Sequence, residues 1–168
     1  NRTLAVGPDN MLYLSAGSTC NACDESSQEN ATLLRANLDG SNRKIWASGL
    51  RNTIGFGWHP ATGQLWGWDQ GIDWLGNDLQ REELNLIERG NRYGWPYVFE
   101  DGQRHPQDEP PGGLTAAQWT AASTNPVLMH VAHSAGMQMA FHPGGGFGPD
   151  VAGDAFVALR GSWNRRPA

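Results

Sequence analysis

An arginine and an asparagine stand side by side at Arg51-Asn52, just after Gly49. A guanidinium offers a planar fork suited to a carboxylate, and the neighbouring amide can hold a carbonyl or hydroxyl. An ion pair at a sheet edge would use Arg51 equally well. Further along, Asp69-Gln70-Gly71-Ile72-Asp73, with Asn77-Asp78 following, looks superficially like a calcium loop. It is not an EF-hand, because the alternating aspartates and the closing Glu are missing. A solvated acidic loop fits the same residues. Together the two segments could hold an anionic group and a hard metal ion.

The remaining polar residues sort less sharply. His59 and His142 each precede a proline in a turn, and His105 sits in a charged loop. His130 and His133 lie just before an expected strand, where His133 could face an axial cavity. No spacing of Ser, His and Asp supports a hydrolase triad, although such triads are not readable from chain order. Cys20 and Cys23 form one Cys-x-x-Cys pair, and Asp24 stands where a haem attachment site needs His. A local disulfide in an oxidising compartment, free structural thiols and a redox pair all remain open. Asn30-Ala31-Thr32 matches the glycosylation sequon, a pattern common by chance.

The elements that must position these residues are short. The chain has 168 residues with 22 Gly, 10 Pro and 8 Trp against 17% charged residues, which favours many short strands over long helices. Its formal charge of -5 leaves no basic footprint for nucleic acid. No apolar run approaches membrane-spanning length, no leader pattern is visible, and the chain opens at Asn1-Arg2-Thr3-Leu4 inside an expected strand. Period-two alternation flanks four turns: Gly7-Pro8-Asp9-Asn10, Leu38-Asp39-Gly40-Ser41, His59 to Gly63, and a longer loop after His142. Leu4-to-Gly17, Ile54-to-Gly71 and Met137-to-Gly161 each run strand, Pro-containing turn, strand, Gly, as copies of one unit would. The first two turns are spaced close to the roughly 50 residues of a propeller blade. Internal copies favour an all-β β-propeller over a β-sandwich.

The copies account for about three blades, and a closed propeller needs at least roughly four. Residues 1–168 are therefore expected to be part of one larger propeller domain, interrupted by an insertion at about 97–131. Within it, Leu114 to Ala122 is alanine-rich and reads as a helix, and Gln103 to Gly113 reads as a surface loop. Leu84 to Ile87 could be a short amphipathic turn. Tyr93-Gly94-Trp95-Pro96 reads as a rigid structural corner. Most of the tryptophans, Trp58, Trp66 and Trp68 among them, read as blade core, with a few faces left for stacking on sugars.

The run from Gly49 through Arg51-Asn52, His59-Pro60-Ala61-Thr62-Gly63 and Asp69-Gln70-Gly71 to Tyr93-Gly94-Trp95-Pro96 resembles the glucose/sorbosone dehydrogenase family. A second stretch, Gly153 to Arg165 with Gly161-Ser162-Trp163-Asn164-Arg165, carries the same family resemblance, and the chain as a whole is most similar to the L-sorbosone branch. The resemblance implies a six-bladed propeller that oxidises an aldose or sorbosone-like sugar by hydride transfer to pyrroloquinoline quinone (PQQ), with calcium and an external electron acceptor, in the periplasm or outside the cell. It implies that Arg51 and Asn52 contact the cofactor and that the backbone carbonyls of Gly71 and Ile72 bind calcium. In the glucose branch Pro occupies the position of Ile72. Arg160 falls near a lysine that polarises the quinone there, although a surface ion pair accounts for Arg160 as readily. The resemblance also makes Glu83 to Ile87 a strand and adds support to a Cys20–Cys23 disulfide. The family's general-base His would lie just before Arg2, with Ser18 where glucose-type members carry an Asp, and further basic residues would lie beyond Ala168. No catalytic residue is therefore expected within 1–168 except His133, and this span is expected to be inactive alone. A calcium-dependent propeller lactonase and a non-catalytic recognition propeller are the competing readings.

Overall fold

Turn chemistry lays out the first sheet. In a computed structural model, which describes residues 2–166, β1 (Arg2–Val6) and β2 (Leu12–Ala16) pair through a turn in which Asn10 takes the left-handed region at φ 57°. Gly7 closes it by donating its N–H to the Met11 carbonyl at 2.8 Å. β3 (Thr32–Ala36) and β4 (Lys44–Ser48) follow, and the sheet order is β1-β2-β3-β4. Gly40, at φ 81°, takes the position in the second turn that a side chain would strain.

The second sheet repeats the plan. β5 (Thr53–Trp58) and β6 (Leu65–Asp69) turn through His59, whose Nδ1 accepts the N–H groups of Ala61 and Thr62, both at 3.2 Å. This is the turn role expected of that histidine. β7 (Glu82–Leu86) is a strand, as the family resemblance implied and against the amphipathic-turn alternative. Two short strands, β8 (Val98–Phe99) and β9 (Gln103–Arg104), form a hairpin of their own. The helix α1 (Ala116–Ala121) starts at Thr115, whose hydroxyl accepts from the Gln118 N–H while the Gln118 side chain accepts from the Thr115 N–H. β10 (Leu128–His130) then completes the second sheet in the order β10-β7-β6-β5.

The end of the insertion read at about 97–131 is thus a blade strand. The inserted chain runs between the third and fourth strands of the second blade, so that blade is closed only after the excursion returns. Three residues, one exposed and the next two half-buried, carry too little periodicity to mark a strand at the far side of a long loop. β11 (Gly136–Phe141) and β12 (Ala155–Leu159) form the opening hairpin of a third sheet. The three internal copies are therefore the first hairpins of three successive sheets. Among the described residues the fold is a partial β-propeller of two full blades and half of another, nearly all-β as expected. β5 packs against both β1 and β11, which sets the first strands of successive sheets side by side.

Between the first two blades lies the main core: Tyr13, Leu33, Leu50, Phe56, Leu65 and Ile87, with Trp46 and Trp58 packed against it. Tyr13 meets Trp58 edge-on at 5.0 Å between ring centroids and Trp46 at 5.5 Å, a geometry that adds to the stabilisation from area alone. The Tyr93-to-Pro96 corner is structural as expected. The Tyr93 hydroxyl bridges the Leu86 carbonyl and the Glu88 N–H, and Gly94 gives its carbonyl to the Trp119 indole at 2.8 Å. His105 differs from expectation. The β8–β9 hairpin folds over it, leaving it fully buried with Trp95 and Phe99 rings 5.8 and 6.0 Å away. Burial lowers its pKa.

Candidate functional site

The site starts from one buried carboxylate. Asp69, at the end of β6, accepts the main-chain N–H groups of Arg51 at 2.9 Å and Asn52 at 2.8 Å and the Thr53 hydroxyl at 2.7 Å. Those three residues lead into β5, so Asp69 fixes the direction in which Arg51 and Asn52 project. Burial raises its pKa, and these hydrogen bonds work against that shift.

The Arg51 guanidinium is held by oxygen atoms that carry no formal charge. Nη1 donates to the Gly71 carbonyl at 2.6 Å and the Gln70 carbonyl at 3.1 Å, while Nε and Nη2 reach the Asn21 carbonyl and side-chain oxygen at 3.3 and 3.4 Å. The Trp95 ring covers it at 5.5 Å. Burial lowers its pKa, and no carboxylate among the described residues lies within ion-pair distance. Asp69, Asp73 and Glu82 act on it only at longer range, and a partly desolvated cation with no carboxylate in contact is unfavourable. It suits a place where an anionic group completes the charge balance.

Asn21 reaches Arg51 because Cys20 and Cys23 form a disulfide that closes the loop around it. Of the three readings left open for these cysteines, the disulfide is the one found. Ser18, nearby, donates to Glu25 at 2.5 Å.

Gly71 is glycine because its backbone passes close against Gln80. A Cβ there would collide with the Gln80 carbonyl oxygen, so the close approach is to the protein's own backbone. The Ile72 side chain is fully buried beside Ala31 and Trp95, and its N–H is held by the Gln80 side chain at 2.9 Å. Asn52 donates to the Gln70 side-chain oxygen at 2.8 Å, and Gln70 donates in turn to the Gly136 carbonyl at 2.6 Å.

One cavity of about 260 Å3 brings Arg51, Asn52, Gly71, His133 and Arg160 to a common space; Ile72 is adjacent in the chain but not in its wall. Arg160 enters from the end of β12. The indoles of Trp74 and Trp163 also line it, 69% and 71% exposed, so not every tryptophan is blade core. His133 is 3% exposed. Its Nδ1 lies 3.0 Å from the Asn164 side-chain oxygen, while the Asn164 amide donates to the Asp73 carbonyl at 2.8 Å. That second bond assigns the amide's orientation, which makes Nδ1 the protonated nitrogen and leaves Nε2 as an acceptor. Nε2 is buried and has no partner among the described residues. His130 instead sits in β10 with its ring 5.8 Å from Trp68.

Sequence reasoning missed Asn21 and Glu82, which belong to no recognisable spacing, and gave no side-chain role to Gln70 and Asn164, which it met only inside longer motifs. Glu82 and its neighbour Glu83 are both buried, and burial pushes their pKa values up to about 7 and about 8. A carboxyl raised above its unfolded value stabilises the fold while protonated, and that contribution is lost as pH rises through the folded value. In EDTA, stability is therefore expected to fall on the order of a few kcal/mol between pH 6.5 and 8.5. The window lies above the lowered His105 titration. Urea unfolding across it checks the sign; flat or rising stability would contradict these burials.

Comparison with known proteins follows this geometry. The family described as Glucose / Sorbosone dehydrogenase matches residues 1–162, and the chain belongs to that family. An uncharacterized protein of Borreliella burgdorferi is 31% identical over 158 residues, covering 94% of this chain and 40% of that one. The calcium structure of a Trichoderma reesei carbohydrate-active enzyme of family AA12 matches with TM-score 0.76 at 20% identity, covering 99% of this chain and 50% of that chain. The holo pyranose dehydrogenase PQQ domain of Coprinopsis cinerea matches with TM-score 0.75 at 21% identity, covering 99% and 50%. The apo soluble aldose sugar dehydrogenase of Escherichia coli matches with TM-score 0.68 at 20% identity, covering 95% and 48%. At such identities these likenesses show the fold. The chain spans about half the length of the solved structures it matches.

Proposed function

We propose that this chain contributes the cofactor side of a sugar dehydrogenase that uses PQQ and calcium. The observation that carries the reading is the Arg51 guanidinium: half-buried, without a carboxylate within ion-pair distance among the described residues, and facing the same cavity as Gly71 and Arg160. The donor set fits the group. Arg51 supplies a fork for a carboxylate, Asn52 a side-chain amide, Arg160 a second cation, and Gly71 and Ile72 offer hard carbonyl oxygens to calcium. When bound, PQQ supplies a quinone that accepts the hydride of an alcohol or hemiacetal carbon, with calcium as a Lewis acid.

The remaining roles belong to side chains of this chain. Arg51 and Asn52 bind and orient, and Asp69 keeps both in register. His133 holds Nε2 as the acceptor for the proton of the substrate hydroxyl, with Asn164 fixing its tautomer. The substrate is an aldose or sorbosone-like sugar, and electrons leave to an external acceptor. No helix among the described residues is long and apolar enough to cross a membrane. The disulfide supports a periplasmic or secreted setting. Residues 1–168 form part of a single propeller domain in this reading. A metal-dependent hydrolase would need ligand side chains converging on an ion. Among the described residues the one such cluster is Cys20, Cys23 and Glu25, whose two sulfurs are already bonded to each other.

Titrating the protein with PQQ in calcium buffer tests the reading. A saturable change in quinone absorbance, abolished by EDTA, is expected. No change with PQQ, alongside lactone hydrolysis or glycan binding, would replace the proposal with one of its competitors.

A further inference from the structure

The deepest carboxylate in the cavity wall is not hydrogen-bonded, among the described residues, to the site groups assigned above. Glu82 on β7 is 2% exposed. Its Oε1 accepts the Ala135 N–H at 3.1 Å, and its Oε2 accepts the Trp68 indole N–H at 3.1 Å and the Gly136 N–H at 3.4 Å. Two of these three donors, Ala135 and Gly136, belong to the segment 131–136, which leads from β10 into the first residue of β11 and carries His133.

That segment is bent in a way side chains resist. His133 has φ 64° and Ala135 has φ 52°, left-handed conformations that cost about 1–3 kcal/mol each in a non-glycine residue and persist only where the surroundings over-determine them. Gly136 has room only for hydrogen, because a Cβ there would run into the Trp68 indole. The same indole donates to Glu82, so Trp68, Glu82 and Gly136 form one unit. Two further bonds tie it to the site: Gln70 to the Gly136 carbonyl at 2.6 Å and the Arg160 N–H to the Ala135 carbonyl at 3.0 Å. Above the value of about 7 to which burial raises it, Glu82 is ionised and only accepts, and here it meets three N–H groups that only donate.

We infer that Glu82 is a positioning residue whose carboxylate holds segment 131–136 in the conformation that presents His133 to the cavity. Its catalytic consequence rests on the reading of His133 as proton acceptor. The anchoring itself is testable without cofactor. Asp69 and Arg51 are the ionisable groups that act on it, and neither is hydrogen-bonded to Glu82 among the described residues.

Glu82→Gln keeps the shape but turns an NH2 group toward N–H donors. Amide hydrogen exchange at Ala135 and Gly136 is expected to accelerate at least about tenfold, the loss of one hydrogen bond to a charged acceptor. Leu14, central in the first sheet, should keep its protection. The His133 ring nitrogens should move from the Nδ1–H signature in 15N spectra toward a tautomer mixture, which a merely destabilising change would not produce. Unchanged exchange at 135–136 in the folded variant, or equal acceleration at Leu14, would overturn the inference. Should that variant not fold, Glu82→Asp retains the charge but retracts it by a methylene and is read in the same way. In the unaltered protein Ala135 and Gly136 should exchange at least about tenfold below their intrinsic rates; fast exchange there refutes the anchor without any variant. A failed PQQ titration with the exchange pattern intact would remove the function and leave the anchor standing.

Discussion

Arg51→Ala weakens PQQ binding by at least about a hundredfold while leaving the thermal midpoint within a few degrees. The first half follows from losing a charge-assisted fork, each hydrogen bond to a charged group contributing about 1.5–3 kcal/mol. The second follows from the desolvation that already lowers the guanidinium's pKa: the fold gains little from holding this charge inside. Its protein partners are carbonyl and amide oxygens, and losing those bonds is modest. Arg51→Lys should recover little affinity, because an ammonium cannot form the fork. A residue with a purely structural role would show the opposite pattern, with a lowered midpoint and unchanged affinity. Paired thermal melts and PQQ titrations on the variants separate the two.

Asp69→Ala is expected to destabilise the protein by about 3–5 kcal/mol, since two main-chain N–H groups and a threonine hydroxyl lose their acceptor in a buried site. Asp69→Asn should cost much less, about 1–2 kcal/mol. The amide oxygen still accepts, and removing a buried charge whose pKa is already raised offsets part of the loss. Urea midpoints for both variants give the ordering. If Asn proved as damaging as Ala, the charge itself rather than the acceptor geometry would be what the site needs.

The strand plan was legible because each hairpin announces itself twice, in period-two alternation and in a turn with its own chemistry. Asn10, Gly40 and the His59-to-Gly63 turn mark strand ends that the structure reproduces. The strand β10 was not legible, because it is short and returns after an excursion that interrupts the period. The Arg51-Asn52 pair and the Gly71 carbonyl were visible through a family resemblance attached to a compact motif. What the sequence did not disclose is why they meet: Asp69 is an ordinary acidic residue in the chain and a three-donor clamp in the fold. Glu82 and Asn164 are similar cases. Their importance comes from main-chain groups and ring atoms brought from distant parts of the chain, and no local spacing encodes such a meeting. His105 was misread for the same reason, since a charged neighbourhood in sequence became a buried one under the β8–β9 hairpin.

A crystal structure of the protein soaked with PQQ and calcium is the most direct trial of the axial site. The account predicts a quinone carboxylate on the Arg51 guanidinium, in the cavity that Arg160 and His133 share, and anomalous calcium density against the Gly71 and Ile72 carbonyl oxygens at its edge. Calcium bound elsewhere, or PQQ seated without touching Arg51, would contradict it.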